Sequence, residues 1–83
     1  MPPRHWVDIL RSERDPRRYY TGLTSNVIER LKAHNEALST HTATACPWTL
    51  VAQFWFADPQ KAAAFEIYLE SGSGRAFASQ HLR

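Results

Sequence analysis

Tyr19-Tyr20-Thr21-Gly22-Leu23-Thr24-Ser25-Asn26-Val27-Ile28-Glu29-Arg30-Leu31-Lys32-Ala33-His34-Asn35 changes its pattern midway, from strand-like alternation to helical spacing, and that change decides the fold class. Tyr19 to Thr24 is rich in aromatic and β-branched residues and reads as a strand. Alternation puts Tyr20 and Gly22 on one face, and Tyr19, Thr21 and Leu23 on the other. Glycine weakens a strand, so Gly22 marks a close approach by backbone or ligand. Thr24 or Ser25 is expected to cap a helix running from Asn26 to about Leu38, with Val27, Ile28, Leu31 and Leu38 on its apolar stripe. Asn26, Arg30 and His34 recur at i, i+4 and i+8 as a polar ridge along one shoulder of that stripe. The ridge fits an ordinary boundary helix whose tips snorkel outward, or a row of side chains projecting over a sheet edge.

Upstream, Trp6 to Arg11 is β-rich, and the polar, Pro-containing stretch 12–18 joins it to the Tyr19 strand as a hairpin with a basic loop. Downstream, a loop of Ser, Thr and His leads to Trp48–Phe56, an apolar run suited to a central strand. Asp58-Pro59 then opens a helix, with Asp as N-cap and Pro at the first helical position. Gly72 is the expected stop, and Ser73 the expected cap of a last helix through Phe77 to Leu82. The order strand, strand, helix, strand, helix, helix makes the chain α/β. Trp6, Trp48 and Trp55 are assigned to the core and Cys46 to a small packed position.

Eighty-three residues make one small domain over 1–83, with its core in about 6–82. Hydrophobic content of 43% is too high for a disordered chain. A single cysteine cannot form an internal disulfide, which points to a reducing, cytoplasmic setting. Neither a signal peptide nor a membrane anchor is read in the sequence. Net charge is only +2, but the segment 1–35 carries +3 and the rest −1, and most of the bases are Arg, which can grip a phosphate with two parallel hydrogen bonds.

The second helix holds the sharpest chemical signal. Ala62, Phe65, Glu66 and Leu69 stand at i, i+3, i+4 and i+7, so Glu66 lies on the core-facing stripe, opposite a solvent face of Lys61, Ala64 and Tyr68. An inward carboxylate needs a cation, a hydrogen-bond network or a metal, unless the helix is rotated enough for it to reach water.

Tyr20-Thr21-Gly22, then Arg30, then His34-Asn35, with Glu66 on a later helix, resemble the GIY-YIG nuclease superfamily. His41-Thr42-Ala43, Pro47-Trp48, Tyr68-Leu69 and the segment 71–77 are similar to further signatures of its small stand-alone bacterial members. The resemblance covers Val7 to about Leu82. It implies a three-stranded antiparallel sheet flanked by helices and a metal-dependent endonuclease that hydrolyses phosphodiester bonds of DNA or structured nucleic acid. It further implies Tyr20 as catalytic tyrosine, Arg30 as phosphate-binding arginine, His34 as helper in proton transfer and Glu66 as the ligand of one Mg²⁺ or Mn²⁺. A hard divalent cation that keeps several waters suits a single carboxylate. Tyrosine is a poor base at neutral pH unless nearby cations favour the phenolate, and the histidine eases that demand. Substrate contacts are expected from Gly22, Asn35, the loop residues Arg14, Arg17 and Arg18, and His41, for which loop ordering is the competing role.

One residue departs from the family pattern: Asp8 stands where the first motif tyrosine belongs. It could become a second metal ligand, pair with Arg30 and quiet it, or accept a hydrogen bond from Tyr20. The competing function is therefore a catalytically weak or inactive module of the same fold that binds nucleic acid or a partner protein. So small a surface reads little sequence, so structure-directed or weakly specific cleavage is expected, by the chain alone or as a homodimer.

Overall fold

The computed structural model describes residues 2–36 and 45–83. In chain order these form β1 (Trp6–Ser12), β2 (Tyr19–Thr24), α1 (Val27–Asn35), β3 (Trp48–Trp55), α2 (Pro59–Glu70) and α3 (Gly72–His81). The strands make one antiparallel sheet in the order β2-β1-β3. Central β1 is covered on both faces: Val7, Asp8, Ile9 and Leu10 are all buried. Trp48–Trp55 is thus an edge strand rather than the expected central one, since β1 inserts between the two later strands.

The two faces carry separate cores. Val7 and Ile9 pack with Ala62 and Leu69 of α2 and Ala78 of α3. Leu10 packs on the opposite face with Ala45, Trp48, Leu31 of α1, and Cys46. A bulge in the β1–β3 pairing sets Ile9 opposite Ala52 and Leu10 opposite Leu50. It lets Val51 and Ala52, neighbours in sequence, both pack against the α2 core.

Local chemistry explains the helix ends and corrects several expectations. The cap of α1 is Asn26, whose side chain accepts from the Glu29 N–H, while the Thr24 hydroxyl accepts from the Asn26 N–H. Val27 is buried but Ile28 is 79% exposed, because one helical step of about 100° carries it off the sheet face. Leu38 lies outside the described residues. Asp58 caps α2 with Pro59 at its first position, as read from the sequence. Ser71, rather than Ser73, separates the last two helices: its hydroxyl donates to the Tyr68 carbonyl and accepts from the Gly74 N–H, ending α2 and starting α3. Trp55 is not core but 57% exposed, stacked on His5.

Gly74 sets how closely α3 sits on α2. A Cβ there would overlap the Tyr68 carbonyl group, which is backbone and cannot swing aside, whereas a Cβ at Gly72 meets nothing. Gly74→Ala is expected to destabilise the fold by about 1–3 kcal/mol through overpacking, and Gly72→Ala to leave it unchanged or more stable. Urea denaturation of the two variants checks the contrast.

Candidate active site

Register brings the chemically distinctive residues to the edge formed by β2. Asp8 lies opposite Gly22 and Leu10 opposite Tyr20, so Asp8, Gly22 and Tyr20 share the face covered by α1. Arg30 and His34, one helical turn apart on α1, reach down onto that face. Arg30 Nη1 is 2.9 Å from Asp8 Oδ1, with the Asp8 side chain wholly buried and that of Arg30 only 11% exposed. The guanidinium crosses directly over Gly22, where a Cβ would overlap Nη2, Cζ and Nε. Gly22 therefore makes room for Arg30, and the close approach it marks is by this side chain rather than by substrate. Of the three fates open to Asp8, the structure selects the pairing with Arg30.

That pair is imperfectly solvated by protein. Among the described residues, both Asp8 carboxylate oxygens and both terminal nitrogens of Arg30 are buried with no hydrogen bond, so the 2.9 Å contact joins them as an ion pair alone. Burial raises the Asp8 pKa to about 6 despite the opposing pull of Arg30. Burial likewise lowers the Arg30 pKa, against the charges of Asp8, Tyr20 and Glu66. For both partners desolvation outweighs attraction, the usual balance in a buried ion pair.

Arg30 also backs the tyrosine. Its Cζ stands 5.2 Å from the centroid of the Tyr20 ring, which is 37% exposed at the edge of the sheet. The His34 ring lies 5.0 Å from that of Tyr20, and Trp48 is edge-on to both at 6.1 and 6.5 Å. Burial and then the Arg30 charge lower the His34 pKa, so His34 is neutral at pH 7, the form able to accept a proton.

Glu66 approaches from the other face of the sheet, on α2. It is half-buried and within electrostatic reach of Arg30 and Arg4. Its pKa is raised first by burial, then by a hydrogen bond with Glu70 and that residue's charge. Tyr20, Glu66 and Glu70 line an open cleft of about 760 Å³ between the β2 edge, α2 and α3. Arg17, Arg75, Ser79 and Arg83 line it as well. Among the described residues no three of His, Cys, Asp and Glu come together, and the carboxylates facing the cleft are Glu66 and Glu70. Such a set fits Mg²⁺ or Mn²⁺, which retain waters on most of their positions.

The remaining expected contacts divide. Arg17 lines the cleft, its side chain 91% exposed and 3.3 Å from Asp15. Arg14 and Arg18 belong to the same β1–β2 turn but not to the cleft lining. Asn35 is committed elsewhere: its amide nitrogen donates to the Trp48 carbonyl at 3.1 Å, and its oxygen accepts from the Trp48 N–H. It pins the end of α1 to the start of β3. His41 lies outside the described residues. Glu70, Arg75 and Arg83 were missed in the sequence, although Glu70 stands one turn beyond Glu66, and Arg75, Ser79 and Arg83 recur at i, i+4 and i+8.

The model of the GIY-YIG catalytic domain matches residues 4–76 of the chain. No curated protein and no solved structure matches it. Among the described residues no helix is long and apolar enough to cross a membrane.

The raised Asp8 pKa fixes the sign of a pH effect. A carboxyl group whose pKa is higher folded than unfolded contributes stability that is fully present below about pH 3.8 and is lost as pH rises through about 6. Wild type should therefore lose stability relative to Asp8→Asn between pH 4 and pH 7. Parallel melting curves across that range check it, and a constant offset would mean that Arg30 fully offsets the desolvation of Asp8.

Proposed function

The chain belongs to the GIY-YIG family, which is made up of endonucleases, and on that footing we propose that it is a metal-dependent endonuclease cutting DNA or structured nucleic acid at the cleft between Tyr20 and Glu66. The observation that carries this reading is the convergence of Tyr20 and Glu66, from opposite faces of the sheet, on one open cleft. Glu66, with Glu70 beside it, would hold Mg²⁺ or Mn²⁺. That ion, when bound, polarises a phosphoryl oxygen and stabilises the leaving oxygen.

The chain's own groups divide the rest of the work. Tyr20 meets the attacking water at its Oη and takes its proton. The phenol must give up its own proton to do so, and His34, kept neutral by burial and by Arg30 with its ring beside that of Tyr20, would accept it. Arg30, against the tyrosine ring, stabilises negative charge developing on the phenolic oxygen. Trp48 and Asn35 hold the wall against which these rings pack. The lone Cys46 agrees with action in the reducing cytoplasm.

A second reading, a quiet module that binds without cutting, is favoured by one observation: Asp8 occupies the Nη1 edge of Arg30. If that contact holds activity down, Asp8→Tyr should raise cleavage severalfold, and unchanged or lower activity would count against quieting.

The decisive assay is nicking of supercoiled plasmid and of branched or single-stranded DNA in Mg²⁺ or Mn²⁺. Wild type should cut, Glu66→Ala should not, and His34→Ala should be slower by about 10²-fold or more. Mn²⁺ should also stabilise wild type by mass action, by about 2.7 kcal/mol at a hundred times Kd, and so raise its melting temperature while leaving Glu66→Ala unmoved. Equal cutting by wild type and Glu66→Ala would assign the activity to a contaminant.

A further inference from the structure

Arg30 is the arginine that the motif offers to a phosphate, yet in this chain it is turned inward. Its Nη1 is held by Asp8 and its Nη2 lies over Gly22, both buried. It stands behind Tyr20 and is not part of the cleft lining. Beyond the ion that Glu66 and Glu70 would hold, a phosphodiester entering the cleft needs cations of the chain itself, and Arg17 on the lining is shared with Asp15.

The cleft supplies them from α3. Gly74 and Ala78, at i and i+4, are buried against α2 and the first core. One residue further round the helix, Arg75 and Ser79 form the shoulder that borders the cleft, and Arg83 extends the same ridge just past the helix end. The Arg83 guanidinium is held over the Tyr19 ring at 4.2 Å, which fixes it beside the β2 edge. Arg75 and Arg83 are exposed, so their charges reach the cleft without a desolvation cost.

We propose that Arg75 and Arg83, rather than Arg30, hold the nucleic-acid backbone in this chain, along a ridge of α3 facing Glu66. The proposal deepens the nuclease reading and rests on it: Arg30 serves Tyr20, and phosphate binding passes to the C-terminal helix. Ser79 between the two arginines adds a hydroxyl donor to the same ridge.

The test uses the full chain with a fluorescein-labelled DNA duplex and the matching single strand. Anisotropy is measured in EDTA, so that nothing is cut, over 50–200 mM KCl. Arg75→Ala and Arg83→Ala should each weaken binding severalfold and flatten the plot of log K against log salt by about 0.7–0.9 for each arginine–phosphate pair removed. Arg11→Ala, an exposed charge outside the cleft, should leave the slope as it is. Both α3 variants should melt as wild type does, which separates weakened phosphate binding from misfolding. Wild-type affinity and slope in the Arg75→Ala, Arg83→Ala double variant would overturn the proposal while leaving plasmid cutting, and so the nuclease reading, intact. A wild-type chain that neither binds nor cuts would overturn both.

Discussion

A buried charge pair between the central strand and α1 is the constraint on which the rest of the site depends. Asp8 is buried between two neighbouring strands and under α1, and among the described residues its salt-bridge partner is Arg30, at 2.9 Å. Removing either partner would leave the other as an uncompensated buried charge, which costs about 3–5 kcal/mol in comparable pairs. That demand fixes the rotation of α1 over the sheet. It also explains Gly22, since any side chain there would stand where the guanidinium lies. Tyr20, two residues before Gly22 on the same face, then finds a cation beneath its ring and His34 at its side.

The sheet edge divides the chemistry between its two faces. The α1 face holds the groups suited to moving protons: an exposed tyrosine, a neutral histidine and a buried arginine. The α2 face supplies Glu66 and Glu70, and half-burial and the neighbouring Glu70 raise the affinity of Glu66 for a proton. Because β2 is an edge strand, Tyr20 from one face and Glu66 and Glu70 from the other reach one cleft around it. A central β2 would have separated them by a sheet's thickness. The close seat of α3 on the Tyr68 carbonyl, permitted by Gly74, then closes the cleft with a basic wall.

Much of this was legible in the residues because short-range rules govern it. The β2 span, the Asp58–Pro59 start of α2 and the inward tilt of Glu66 all follow from alternation, capping and helical period, and the structure agrees. Errors arose where two residues satisfied the same local rule. Ser71 and Ser73 both suit a helix start, and the choice of Ser71 is made by its hydroxyl, which serves the end of one helix and the start of the next. Ile28 and Val27 both suit the core face, and only the docking angle of α1 exposes the former. No local pattern foretells the pairing of Asn35 with the Trp48 backbone, which joins residues 13 apart.

The sequence by itself determined the order of elements, the family and the residue types brought to the site, since each rests on spacing along the chain or on a motif within it. Tertiary structure alone decided what those residues do to one another. Asp8 could have met a metal, a tyrosine or an arginine; strand register and the reach of α1 gave it Arg30. Arg75 and Arg83 read as ordinary surface charges until α3 docks on α2 and turns their ridge toward Glu66. Such pairings depend on distances between segments far apart in sequence, and no local propensity encodes a distance.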